Sequence, residues 1–201
     1  YDTPWLVAMN PILSDPSWSD LHLIFFDLSL GTRTELGAEF LPIRDLSVAL
    51  DFIIFGDNWI GHHLSNLIYY LAGVWFFFQI LTHFAGRNWA AWMASLLFSL
   101  HPTHVESVAW LASRKDVLSL FFFCLSIYSL LKSNRPILWA TIWAAFAYWS
   151  KNTAIALPPL LVWIFIIHKK TAHKTWSECL NWRDAIPWAP MAVIYSIGLG
   201  I

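Results

Sequence analysis

The densest set of chemically capable side chains is the stretch His101-Pro102-Thr103-His104-Val105-Glu106, followed shortly by Arg114-Lys115-Asp116. Two imidazoles and two cations can hold an anion such as a phosphate, and a carboxylate can take a proton from a hydroxyl. Lys151 and the pair His62-His63 stand at other candidate helix ends. A metal held by His101, His104 and Glu106 is the weaker reading, because a metal wants three or four convergent ligands and this spacing is not diagnostic. Plainer roles compete at each position. The histidines can simply terminate a helix at an interface, and Arg114-Lys115-Asp116 can anchor a helix start at headgroup level. His62 and His63 can hydrogen-bond a loop, and Asn66 suits helix packing.

The elements that must position these groups follow from composition. The 201 residues are 58% hydrophobic and only 12% charged, with 14 Trp, 15 Phe and 6 Tyr. That is about half the charged share of roughly a quarter found in soluble domains. Mean hydropathy is +0.54. A soluble domain of this size cannot hide so much apolar surface. Disorder, collagen and nucleic-acid binding are excluded by the apolar content, the lack of a glycine repeat and the net charge of −1. Cys124 and Cys179 offer no disulfide framework. The chain begins at Tyr1 and stops at Ile201 inside an apolar run, which reads as part of a longer gene product.

Charge-free intervals mark the helices. Residues 58–86, 88–105, 117–131, 136–150, 152–168 and 185–201 contain no Asp, Glu, Lys or Arg. With terminal Lys and Arg snorkelling, these lengths predict an all-α polytopic transmembrane bundle of six spans, at about 62–85, 88–102, 115–132, 136–150, 153–168 and 186–201. Runs such as Val74-Trp75-Phe76-Phe77-Phe78 lack the period-two alternation of a transmembrane barrel. Pro102 ends the second of these spans just after His101.

Residues 1–61 read as one domain, a long acidic outer loop, and 62–201 as the bundle. Asp15-Pro16-Ser17-Trp18 looks like a cap opening a short interfacial helix to about Phe26, Gly31 to Gly37 reads as a loop, and Leu46–Phe55 as a second interfacial helix ending at Gly56. Eleven of the 13 acidic residues fall on the side of the amino-terminal loop, whereas Lys169, Lys170 and Lys174 fall opposite. The basic tract is therefore placed in the cytoplasm and residues 1–61 in the periplasm or lumen of an integral membrane protein, most simply of a bacterial inner membrane.

The stretch from His101 to Ser119, HPTHVESVAWLASRKDVLS, resembles the membrane domain of transmembrane proteins that carry tetratricopeptide repeats, which are polytopic glycosyltransferases of the GT-C fold related to protein O-mannosyltransferases. The segment around Gly61, His62, His63, Leu64 and Asn66, the WSKNTAIALPPLLV stretch containing Lys151, and the amino-terminal YDTPWLVAMNPIL are similar to further parts of that family. The resemblance implies transfer of a sugar from a polyprenyl phosphate donor to a hydroxyl on the outer face of the membrane. It makes Asp2 the catalytic acid–base residue, the first of an expected Asp pair. It makes Arg114, Lys115, Lys151, His101 and His104 the donor-phosphate ligands, with Glu106, Asp116, His62 and His63 in support.

The expected partners are membrane lipid, the lipid-linked sugar, a protein or glycan acceptor and a larger membrane complex. A divalent metal is disfavoured as cofactor. Three positions depart from the family pattern: Thr3 replaces the second Asp, Leu41 precedes Pro42 where a polar or basic residue is expected, and Asn152 follows Lys151. These departures, and the absence of a 34-residue repeat, support the alternative of a catalytically degenerate membrane subunit with a scaffolding role. A transporter is disfavoured, because no pair of broken spans recurs in two halves.

Overall fold

The computed structural model describes residues 10–14, 18–27, 29–37 and 39–172. Among them every regular element is helical. Asp2, Thr3, the Asp15-Pro16-Ser17 cap, Lys174, Cys179 and the span expected at 186–201 lie outside the described residues, as do the side chains of Lys169 and Lys170.

Short helices α1 (Pro11–Ser14), α2 (Trp18–Phe26) and α3 (Leu30–Glu35) precede α4 (Pro42–Phe55). The α3 helix corrects the reading of Gly31 to Gly37 as a loop. Its turn is held from outside: Asp27 accepts from the Ser29 N–H and the Thr32 hydroxyl, and Arg33 donates to Asp27 O, Leu23 O and Ile24 O. The last two acceptors are carbonyls in the final turn of α2, where a cation is well placed. The hydrogen bonds to Thr32 and Ser29 also hold the Asp27 carboxyl below its ordinary value.

Pro42 opens α4 at its first turn, where its missing N–H costs nothing. Gly56 ends it with φ 54°, a left-handed value that favours glycine. The buried face of this helix is mixed, with polar side chains beside Ile43, Val48, Ala49 and Phe52. Arg44, Asp45, Ser47 and Asp51 are buried, while Leu50, Ile53 and Ile54 are exposed. Val48, Ala49 and Phe52 of this helix pack with Ile12, Leu13, Ile24 and Leu36 in a small apolar core.

The bundle proper is α5 (Trp59–Ala85), α6 (Asn88–Ser99), α7 (Thr103–Ala109), α8 (Arg114–Lys132), α9 (Pro136–Ser150) and α10 (Leu157–Ala172). One-turn 3₁₀ segments at Leu111–Ser113 and Asn152–Ala156 lead into α8 and α10. The expected 136–150 helix has those bounds, and the helices expected at 62–85, 88–102, 115–132 and 153–168 agree within a few residues. The helix expected at 88–102 stops at Ser99, and the residues after Pro102 form α7 instead.

Among the described residues, α5 alone is both long and apolar enough to cross a membrane. Its 27 residues reach about 40 Å at 1.5 Å each. At 12 residues α6 reaches only about 18 Å, well short of the roughly 30 Å of a hydrocarbon core. Exposed apolar side chains crowd the outside: Leu64, Leu67, Leu71 and Trp75 on α5, and Trp89, Trp92, Met93 and Leu97 on α6.

The centre of the bundle is α8, packed between α5 and α9. The α9 face toward it is small, with Ala140, Ala144 and Ala147 fully buried, so the backbones approach closely. The Ser126 hydroxyl uses that proximity to donate to Ala140 O at 2.7 Å. On the other side Gly73 faces Leu120, where an added Cβ would lie 3.3 Å from the Leu120 side chain. A tighter fit occurs at the α4–α5 corner, where a Cβ on Gly61 would lie 2.7 Å from Phe55 Cβ. Gly61→Ala should therefore force the corner apart and destabilise the fold by ~1–3 kcal/mol, read as a lowered thermal midpoint in detergent.

Candidate functional site

The helices collect the candidate residues at one end of the bundle. The starts of α5 and α8 lie together, because Arg114 donates to Asn66 Oδ1 and to His62 O. The end of α9 joins them through an ion pair between Lys151 and Asp116. The end of α7 joins too, with Asn66 Nδ2 donating to Val108 O at 3.4 Å. Arg87, Lys132 and Arg135 fall at the opposite helix ends.

Three consecutive residues open α8 and each goes to a different partner. Arg114 is 2% exposed. Its Nη1 lies 2.5 Å from Asp51 Oδ2 and donates to Ser47 O at 3.2 Å, Nε donates to Asn66 Oδ1 at 2.8 Å, and Nη2 donates to His62 O at 2.9 Å. Four of its five N–H groups are thus held inside the protein, and the guanidinium is almost wholly shielded from solvent. Lys115 pairs with Glu39 at 2.8 Å, and Asp116 with Lys151. Both lysine side chains keep about a third of their surface, 31% for Lys115 and 33% for Lys151. Exposed pairs of this kind are worth ~0–1 kcal/mol and exchange partners readily.

His62 is buried behind Arg114. Its Nε2 lies 2.9 Å from Gly56 O and its Nδ1 3.6 Å from Asp51 Oδ2, and Phe52 meets its ring edge-on at 4.6 Å. His63 on the neighbouring position is exposed. His104 of the second pair packs beside Tyr70, about 12 Å along α5 from His62. His101 and His104 have ring centres 6.3 Å apart, and the half-buried His104 ring also meets Phe98 at 4.4 Å and Tyr70 at 5.7 Å. Burial, and then the nearby His101, push the His104 imidazole below its ordinary value. Glu106 is exposed on α7. Among the described residues no three His, Cys, Asp or Glu side chains converge as a metal site.

Sequence reasoning missed the acids that hold this end together: Glu39, Asp45 and Asp51. Their signal was available in α4, where Arg44, Ser47 and Asp51 recur at helical spacing against apolar Leu46, Leu50 and Ile53. Asp45 is the most extreme. It is wholly buried, accepts from Arg44 Nε at 2.7 Å and leaves Oδ2 without a hydrogen bond. Burial pushes its carboxyl up to about 6, against the opposing pull of Arg44 and Arg33. The space beside it, lined by Leu13, Val48, Leu111 and Arg114, measures about 10 Å³. That holds one water at most, so an acceptor molecule cannot reach Asp45.

The sequence profile of the dolichyl-phosphate-mannose-protein mannosyltransferases matches residues 42–194. The protein O-mannosyl-transferase tmtc2 of Xenopus laevis is 30% identical over an alignment that takes in 99% of this chain and 25% of the frog protein. The mouse protein O-mannosyl-transferase TMTC2 is 29% identical over 66% of this chain and 16% of its own length. The human protein O-mannosyl-transferase TMTC3 is 30% identical over 50% of this chain and 11% of its own length. The chain thus spans a quarter or less of the curated relatives it matches. No solved structure matches it.

Two outcomes follow from this geometry. Arg114→Met leaves Asp51 buried and uncompensated, which should cost ~3–5 kcal/mol, whereas adding Asp51→Leu to the same chain should recover a large part, both read by thermal unfolding in detergent. Asp45→Asn keeps the acceptor for Arg44 and removes the ionisable group. A folded-state value raised above 3.8 means that ionised Asp45 opposes folding, fully above about 6 and not at all below the unfolded value. The variant should be more stable than the parent at pH 8, and the gain should vanish as pH falls from about 6 to 4.

Proposed function

Because the chain belongs to the dolichyl-phosphate-mannose-protein mannosyltransferase family, we propose that it is the donor-binding membrane core of a glycosyltransferase. In this reading a polyprenyl phosphate carries the sugar and a Ser or Thr hydroxyl accepts it. The observation that carries the reading is the gathering of His101, His104, Lys115 and Lys151 at one end of a bundle with a strongly apolar exterior.

The chemistry needs three things at that end. The hydroxyl oxygen attacks the anomeric carbon while the bond from that carbon to the phosphate oxygen breaks. The electron pair leaves with the phosphate, and the hydroxyl proton passes to a carboxylate. Lys115 and Lys151, lent by Glu39 and Asp116, and the two histidines would take the growing charge on the phosphate. Asp2 would take the proton, as the family resemblance implies. Arg114 would act by positioning, holding α8 so that Lys115 and Asp116 face outward. The full reading places six spans in the membrane, residues 1–61 on its outer, periplasmic or luminal side, and residues 168–184 in the cytoplasm.

A second reading, a structural subunit without catalysis, draws on one specific observation in the sequence and one in the structure. Thr3 stands where the second acid of the family pair is expected, and each cation that opens α8 or pairs with it already has a carboxylate partner.

The deciding assay is sugar transfer from a mannosyl polyprenyl phosphate to a Ser/Thr peptide by the full-length protein in nanodiscs. Asp2→Asn should lower turnover by about 10²–10⁴-fold with folding intact. Lys151→Ala should instead raise the KM for the donor. Unchanged turnover in Asp2→Asn removes Asp2 as the base, and failure of the parent protein to bind the donor establishes the structural reading.

A further inference from the structure

Two flanks of α5 are covered and a third is open. Toward α8, Gly73 meets Leu120, the Phe76 ring meets Tyr128 at 5.2 Å and Ile80 is buried. Toward α6, Tyr70 donates to Ser99 O, the Phe77 ring meets Phe98 at 4.7 Å and the Phe78 ring meets Trp92 at 4.5 Å. At about 3.6 residues per turn, the line left between these flanks carries Ile68, Ala72, Trp75, Gln79 and Thr82, each within about 40° of its centre. Ile68 and Trp75 are 56% and 53% exposed, and the other three are half-buried.

Gln79 is out of place on that line. It stands eight residues, about 12 Å, before Arg87 at the end of the helix. That depth lies inside the roughly 30 Å hydrocarbon core of a membrane that α5 crosses. Other polar side chains of α5 are satisfied within the protein. Ser65 donates to Asp51, Asn66 to Val108 O, Tyr70 to Ser99 O, and Thr82 back to the main chain at Gln79 O. The Gln79 side-chain amide has no hydrogen-bond partner among the described residues. An amide left unpaired in hydrocarbon is costly, and lipid tails offer it nothing.

The spacing says what would pair with it. Positions 68, 72, 75, 79 and 82 alternate steps of four and three, the period of a left-handed helix pair. Ala72 and Gln79 then take one core position of the heptad, and Ile68, Trp75 and Thr82 the other. A single polar residue in such a core meets its own copy across the axis of a parallel pair and fixes the register. Two copies of a membrane protein share one orientation, so a two-fold axis along the membrane normal brings Gln79 to Gln79 at the same depth. Each amide both donates and accepts, so the two can exchange reciprocal hydrogen bonds. Ala72 lets the backbones approach, and the Trp75 ring leans off the line toward Phe78, centres 5.8 Å apart.

We infer that a second copy of this chain docks along α5, with the two Gln79 side chains hydrogen-bonded to one another and Ala72 at the close approach of the backbones. The inference rests on α5 crossing the membrane, which the transferase reading also requires, and on no other part of that reading.

The test uses the full-length protein, freed of its native cysteines, in liposomes. Oxidation of Ile68→Cys, Ala72→Cys or Thr82→Cys should give covalent dimers. Val74→Cys, on the flank toward α6, should not. Counting single-molecule bleaching steps at falling protein density gives the dimer affinity. Gln79→Leu should weaken it about tenfold, or roughly 1.4 kcal/mol, while Gln79→Asn should keep most of it. Should Gln79→Leu fail to fold, the cross-linking pattern decides alone. A parent that is monomeric at every density, undiminished affinity in a folded Gln79→Leu, or a thiol at position 72 that bonds to another span of its own chain overturns the proposal. A membrane-impermeant maleimide applied to Gln79→Cys separates the two failures. Reaction overturns the membrane placement of α5 and the dimer with it, whereas protection without cross-links sinks the dimer alone.

Discussion

The buried ion pair between Arg114 and Asp51 is the constraint on which the rest of this end of the molecule depends. Removing two charges from water is costly, and the attraction between them repays it only when the remaining donors and acceptors are also satisfied. Here they are nearly so. Arg114 adds hydrogen bonds to Asn66, to Ser47 O and to His62 O, and Asp51 Oδ1 accepts from the Ser65 hydroxyl at 2.8 Å. One guanidinium thereby ties α4, α5 and α8 in a single register. It also explains why Ser47 and Asp51 of α4 point inward while Leu50, Ile53 and Ile54 are exposed.

A fixed inner shell allows an exchangeable outer one. Since Arg114 is locked, Lys115 and Asp116 leave the first turn of α8 in set directions and meet Glu39 and Lys151 at the surface. Those two pairs are partly exposed and individually weak, so an incoming phosphate can compete for either lysine. The histidine pair rests elsewhere, with His104 against Phe98 and Tyr70. The division of labour is physical: the cation that cannot be reached sets the geometry, and the cations that can be reached are the ones free to change partners.

The helices were legible in the sequence because charge is so rare that its gaps measure them. Pro136 and Lys151 bound α9, and Gly56 ends α4, at the positions the sequence implies. The gathering of His62, His101, Arg114 and Lys151 at one end was also legible, since alternate helix ends must return to the same side. What could not be read was which cations are spent. Arg114 and Lys115 are adjacent and chemically alike, yet one is sealed and the other open, a difference set by Asp51 arriving from a helix more than 60 residues earlier. The short α3 was hidden by Gly31 and Gly37, because its stability comes from Arg33 and Asp27 rather than from helix propensity.

The central claim is that the end carrying His101, His104, Lys115 and Lys151 receives the phosphate of a lipid-linked donor while Arg114 stays in place. An electron cryomicroscopy structure of the full-length protein in nanodiscs with polyprenyl phosphate tests it most directly. The account predicts phosphate density within hydrogen-bond reach of His101 or His104 and of Lys115 or Lys151, with Arg114 still against Asp51. Phosphate density at the Arg87 and Arg135 end, or an Arg114 swung out of its pocket to bind the phosphate, would contradict it.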